Sequence, residues 1–237
     1  MIRTVLFDLD DTLFDHHYSA RSALSVVRAM HVCFEQMGIS DLEAAHATIQ
    51  DALHLEVMVG RLDLDVARVE RFRQLYRAAG VEPDTAIASR TAAAYRKAYV
   101  ASRQPVPGAA ELLAAVGARA RVGIVSNNLL EEQREKLRHC GLEEYCEVLV
   151  VSEEVGVSKP DPRIFQVALS RLGSVADHAV MVGDSWTADV MGAIAAGIRP
   201  VWFNRTGLPM PAAHSGVAVI TSLERTAETM TTIFDER

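Results

Sequence analysis

Three aspartates stand within four residues directly after an apolar run, because Thr4-Val5-Leu6-Phe7 is followed by Asp8, Asp10 and Asp11. Two carboxylates about 4 Å apart repel by about 4 kcal/mol at the effective dielectric of a protein surface, so such a cluster needs an offsetting partner. If the apolar run is a strand continuing through Asp10, then Asp8 and Asp10 project from one face while Leu9 packs on the other. Paired carboxylates on one face suit a cation. A turn or helix cap is the plain alternative for any one of them, Asp11-Thr12 included.

Further polar groups follow other apolar runs. Ser126 and Asn127 close "VSNN", Lys159 stands in "GVSKPDP", and Asp184 and Asp189 lie in "VGDSWTAD". Singly, Ser126 reads as a cap for a helix starting near Leu129, Lys159 as a solvated loop charge, and Asp184-Ser185 as a helix N-cap. Jointly they stand where open parallel sheets bind ligands, at the carboxyl ends of strands. A hydroxyl, an ammonium and several carboxylates on one rim suit phosphoryl transfer. A hard dication such as Mg2+ takes carboxylate oxygens and neutralises an incoming phosphate, while Lys and Ser donors hold the other phosphoryl oxygens. One carboxylate can then attack phosphorus.

The elements that must position these groups follow from periodicity. Residues 4 to 10 read as the first strand. From about Asp15 to Arg103 the pattern is helical. Ala20, Ala23, Leu24, Val27, Phe34 and Met37 share one face; Ser40 with Glu43 reads as a capping box opening a second helix; Val66, Val69, Phe72 and Tyr76 mark a third; Asp84 opens a fourth. After "QPVPGA" (104–109) strands at 121–126, 147–151, 179–183, 199–203 and 217–220 alternate with helices near 109–118, 129–139, 161–172, 185–196 and 222–234. Alternation of this kind implies an α/β fold, a Rossmann-like parallel sheet covered on both faces, with an all-helical insertion after strand one. The expected division is a catalytic core of residues 1–15 plus 104–237 and a helical cap of residues 16–103.

Composition narrows the classes. The 237 residues carry a formal net charge of −7 with no Lys or Arg run, so a small molecule rather than nucleic acid is the expected partner. No stretch has the length to span a bilayer, and the chain enters its first strand at once, so no membrane association and a cytoplasmic location are expected. Three cysteines without CxxC spacing read as thiols. No P-loop and no GxGxxG occurs.

Taken in order, DxDxT at Asp8 to Thr12, the strand-end Ser126, Lys159-Pro160 and GDxxxxD at Gly183 to Asp189 resemble the four motifs of the haloacid dehalogenase superfamily, over nearly the whole chain. The helical insertion is similar to that of its capped members, such as sugar phosphatases, phosphoglycolate phosphatase and pyrimidine nucleotidases. The resemblance implies a Mg2+-dependent phosphomonoesterase acting on a small phosphorylated metabolite, a sugar phosphate or a nucleoside monophosphate. It implies Asp8 as the nucleophile that becomes an aspartyl phosphate, Asp10 as general acid and base, and Thr12 orienting Asp10. Ser126 and Lys159 would bind the phosphoryl group, with Asn127 also at the substrate. Asp8, the backbone carbonyl of Asp10 and Asp184 would hold the metal, and Asp189 would act behind them or through water. The superfamily's true dehalogenases lack a carboxylate two residues after the nucleophile, and Asp10 is present. A receiver-type phosphate-binding module is the other alternative, but receivers are about half this length and need no cap. His16 and His17 could face substrate or solvent; Trp186 reads as packing, Tyr95 and Tyr99 as cap core, and Arg61 is a candidate anion contact in the insertion.

Overall fold

In a computed structural model, which describes residues 1–235, the chain divides into two compact units: residues 1–15 with the chain from Gln104 onward, and residues His16–Arg103. The first strand, β1 (Thr4–Phe7), belongs to the former. The latter is helical throughout: α1 (His16–Met30), α2 (Val32–Glu35), α3 (Ile39–Met58), α4 (Leu64–Ala78) and α5 (Thr85–Ala101). Asp63 and Asp84 cap α4 and α5, their carboxylates accepting from the N–H groups of Asp65 and Val66 and of Ile87 respectively.

Three expectations for this unit are corrected. The first helix stops at Met30, because His31 sits in extended backbone (φ −140°, ψ 119°), its Nε2 2.9 Å from Thr91 Oγ1 and its ring edge-on to Tyr76. Ser40 caps nothing: the N-cap of α3 is Gly38, Ser40 lies inside the first turn, and Glu43 pairs instead with Arg21. Val66 is exposed, and Ala67 takes its place on the buried face with Phe72, Leu75 and Tyr76.

Back in the first unit follow α6 (Ala109–Gly117), β2 (Arg121–Ser126), α7 (Leu130–His139), β3 (Val148–Val151), α8 (Ser152–Val155), α9 (Pro162–Arg171) and β4 (Ala179–Gly183). A six-residue π-helix, Trp186–Met191, runs into α10 (Gly192–Ala195), and β5 (Arg199–Phe203), β6 (Ala218–Ile220) and α11 (Thr226–Phe234) complete the fold. The six strands form one parallel sheet in the order β3-β2-β1-β4-β5-β6. β1 and β4 are buried along their whole length, as strands covered on both faces must be. The chain moves outward from β1 in one direction through β2 and β3, then restarts on the other side at β4. Crevices open at such reversals.

β1 is shorter than the expected strand over 4–10. The Asp8 N–H still reaches Val182 O at 2.9 Å, but Asp11 then turns left-handed (φ 61°) and the N–H groups of Thr12, Leu13 and Phe14 fold back onto Leu9 O. Asp tolerates that conformation better than most residues. The two ends of the helical insertion meet in this unit, where Asp15 N–H donates to Gln104 O at 3.0 Å and Val106 N–H to Leu13 O at 2.8 Å. Among the described residues no helix is long and apolar enough to cross a membrane.

Candidate active site

Register brings the motif residues to one level. Phe7 pairs with Ile124 on β2 and with Val182 on β4, so Asp8 stands one residue short of Ser126 and of Asp184. Lys159, on the loop between α8 and α9, reaches across: its Nζ lies 2.5 Å from Asp8 Oδ1 and 2.7 Å from Asp189 Oδ1, and all three side chains are buried. Ligand oxygens of Asp8, Asp184 and Asp189 lie within 4.8 Å of one another.

Asp189 is thus in direct contact with Lys159, nearer the centre than the position behind it that the motif implies. Two features aim it there. The widened turn lets Asp189 and Val190 both donate to Ser185 O, while the Asp189 carboxylate accepts from Ser185 N–H at 2.9 Å. Gly183 then gives it room, since a Cβ there would come within 2.3 Å of the Asp189 carboxyl. A regular helix was expected over 185–196; the π-turn at its start is the difference.

Electrostatics follow from this burial. Desolvation drives the Asp8 pKa well above the usual carboxylate range; Lys159 pulls it down, and Asp189 and Asp184 push it up again. Burial works against the Lys159 ammonium, but Asp189 and Asp8 together overcome it and keep it charged. Asp184 is pushed up to about 7 by burial and then by Asp189 and Asp11. With all three carboxylates ionised, one ammonium would leave two negative charges uncompensated, and the donors are all hard oxygens. That set fits a divalent cation of the Mg2+ type.

Asp10, two residues from Asp8, has different neighbours. Its carboxylate accepts from Lys136 Nζ at 2.5 Å, Gln133 Nε2 at 2.9 Å and Asn128 Nδ2 at 3.3 Å. Gln133 also donates to Ser126 Oγ, tying the strand-end hydroxyl to the same helix. The side chain of Asp10 therefore lies outside the carboxylate cluster, which leaves its backbone carbonyl as the group the motif assigns to the metal. Thr12, expected to orient Asp10, is bonded elsewhere: Oγ1 donates to Asp184 Oδ1 at 3.2 Å and accepts from Asp184 N–H at 3.1 Å. Its hydroxyl positions Asp184. Asn127, expected at the substrate, has both ends of its amide on the Lys159 backbone, accepting from N–H at 2.7 Å and donating to O at 2.9 Å.

Gln133 and Lys136 went unread in the sequence, although α7 carries the signal. On its buried face stand Gln133, Lys136 and Leu137, two polar residues where a solvent-backed helix would place apolar ones. Trp186 packs against Trp202, ring centres 5.0 Å apart, and Trp202 Nε1 donates to Asp184 O. In the helical unit Tyr95 and Tyr99 are buried, His16 Nδ1 lies 2.8 Å from Tyr99 Oη, and Arg61 is spent on a two-pronged pair with Glu56.

The family described as haloacid dehalogenase-like hydrolase matches residues 2–197. The chain belongs to the haloacid dehalogenase-like hydrolases. Among curated relatives, the pyrimidine 5'-nucleotidase YjjG of Escherichia coli is 30% identical over 220 residues, covering 92% of this chain and 93% of that one. Among solved structures, the HAD-hydrolase YfnB of Bacillus subtilis bound to magnesium superimposes with a TM-score of 0.75 at 27% identity, covering 97% of this chain and 98% of that one. A 2-haloacid dehalogenase from Pseudomonas syringae pv. Tomato superimposes with a TM-score of 0.64 at 25% identity, covering 98% and 99%. As a haloacid dehalogenase-like hydrolase, the chain is an enzyme whose α/β core carries the site just described.

Proposed function

We propose that this hydrolase is a Mg2+-dependent phosphomonoesterase of small phosphorylated metabolites, a sugar phosphate or a nucleoside monophosphate. The observation that carries the reading is the contrast between two carboxylates: Asp8 buried beside Lys159, and Asp10 held apart by Lys136, Gln133 and Asn128. Such a division suits a nucleophile and a separate proton carrier. An Asp8 oxygen attacks phosphorus as the ester P–O bond breaks, and Asp10 gives its proton to the departing alkoxide. Asp10 then takes a proton from water attacking the aspartyl phosphate, the P–O bond to Asp8 breaks, and inorganic phosphate leaves. Lys159 and Ser126 hold phosphoryl oxygens, with Asn127 fixing the Lys159 backbone. Asp8, Asp184 and the Asp10 carbonyl, with Asp189 adjoining, would hold Mg2+, which supplies charge neutralisation at the phosphate.

The similarity to a 2-haloacid dehalogenase favours a second reading. Halide departs without a proton, so that chemistry has no use for Asp10 as an acid. A phosphate-release screen over sugar phosphates, nucleoside monophosphates and phosphorylated acids, with Mg2+ and with EDTA, tests the proposal. Turnover that needs Mg2+ is expected; halide release from 2-chloropropionate without phosphate release from any ester would overturn it.

A further inference from the structure

Gln133 is fully buried on α7 and stands between two groups of the site, all three residues belonging to the α/β unit. Its Nε2 donates to Asp10 Oδ2 at 2.9 Å and to Ser126 Oγ, so both amide hydrogens are spent. Its Oε1 is shielded from solvent and meets no donor among the described residues. A buried amide oxygen without a partner is costly, and packing alone would be served by an apolar side chain of the same length. The direction of the amide therefore needs a cause.

Asp10 supplies it. Lys136 Nζ lies 2.5 Å from Asp10 Oδ1, and a carboxylate in such an ion pair only accepts. Turning the Gln133 amide over would set Oε1 against Asp10 Oδ2, acceptor against acceptor, where a hydrogen bond now stands. With Nε2 held toward both oxygens, Ser126 Oγ has to accept from it. The serine hydrogen is then left to give, and among the described residues Ser126 Oγ has no hydrogen bond besides the one from Gln133. An amide turned the other way would take that hydrogen for itself. Ser126 ends β2 one residue beyond the level of Asp8, the nucleophile of the phosphatase reading.

We propose that Gln133 is a positioning residue for phosphate binding: anchored by Asp10, it makes Ser126 Oγ an acceptor on one side and so frees the hydroxyl hydrogen for a phosphoryl oxygen. The inference rests on the phosphatase reading and adds to it a link, through one amide, between the proton carrier and a phosphate donor. The competing account gives Gln133 the single task of holding Asp10, with the Ser126 contact incidental.

A double-mutant cycle separates the two. Affinity for inorganic phosphate in the presence of Mg2+ is measured by isothermal titration calorimetry on wild type, Gln133→Met, Ser126→Ala and the double variant, alongside kcat and KM for p-nitrophenyl phosphate. Met matches Gln in length and donates nothing. Gln133→Met should weaken phosphate about three- to tenfold when Ser126 is present and less than about twofold in the Ser126→Ala background, where no hydroxyl is left to orient. A loss of the same factor in both backgrounds, or an unchanged phosphate affinity with a lower kcat, would overturn the proposal. Should Gln133→Met not fold, Gln133→Glu is carried through the same cycle. Its charge repels phosphate in both backgrounds and cancels, and an additional loss confined to the protein with Ser126 is expected, because the carboxylate takes the hydroxyl hydrogen; no additional loss would overturn the role. Wild type that binds no phosphate at all would overturn it as well. If no phosphomonoester is turned over the phosphatase reading fails, while the phosphate cycle still decides Gln133.

Discussion

Asp8 and Asp10 are two residues apart in the chain and separated in chemistry by what touches them. Asp8 shares a buried ammonium with Asp189, whereas Asp10 is gripped by three donors, Lys136 and Gln133 from α7 and Asn128 just before it. Asp8, Ser126 and Asp184 stood out in the sequence because each ends an apolar run and carries a group with few uses there, whereas Lys159, on a loop, stood out only through its place in the motif order. Lys136 and Gln133 did not, since periodicity reads a buried face by its apolar residues and these two are polar. The roles of Lys136 and Gln133 can be separated from folding. Lys136→Met should release Asp10 and lower kcat about ten- to a hundredfold, with Lys136→Arg restoring part of it. Equal kcat in Lys136→Met and wild type would show that Asp10 needs no such support.

At the scale of elements, alternation of apolar runs with helical stretches was enough to read the sheet, the insertion and most boundaries. It could not show the π-turn at Trp186–Met191, because one extra residue in a turn leaves the apolar spacing of a six-residue segment nearly unchanged. Nor could it show the break at His31, which depends on Thr91 and Tyr76, far away in the chain. Gly183→Ala should push the Asp189 carboxyl off Lys159, costing about 1–3 kcal/mol in stability and most of the activity. A variant as active and as stable as wild type would refute the close approach. Within the helical unit, His46 is buried against Tyr95 and Phe72, and burial, then Arg71 and His16, hold its pKa well below the usual histidine value. The unfolded chain therefore takes up a proton near pH 6.5 that the folded one refuses. Stability from this residue is complete above about pH 6.5 and falls by up to about 1.4 kcal/mol per pH unit below it. Denaturant titrations from pH 7 to pH 5 should show a shallower loss for His46→Leu than for wild type; parallel curves would contradict the assignment.

For the molecule as a whole, the helical unit enters and leaves the α/β core at one place, where Asp15 and Gln104 are hydrogen-bonded. A short linker can therefore join the core across the insertion. If substrate selection resides in the helices, the intact enzyme should hydrolyse small metabolites and reject phosphopeptides, and a form with residues 19–102 replaced by a short Gly/Ser linker should lose that preference. Efficient phosphopeptide hydrolysis by the intact enzyme would count against selection by the insertion. The composition had pointed to such a division of labour only coarsely, since the helical pattern marks a unit but not which of its polar residues meet.

The central claim is that Asp8 attacks phosphorus, and one measurement addresses it directly. Wild-type enzyme is turned over many times with Mg2+ and a phosphomonoester in heavy-oxygen water, then digested and analysed by mass spectrometry across the peptide that contains residues 4 to 15. In the route written above, water attacks phosphorus, so label enters the released phosphate while both Asp8 oxygens return unlabelled; a single turnover trapped in acid should show phosphate covalently held on Asp8, and the Asp8→Asn protein should show none. Phosphate released at full rate by Asp8→Asn, or a trapped phosphate located on any residue other than Asp8, would contradict the account.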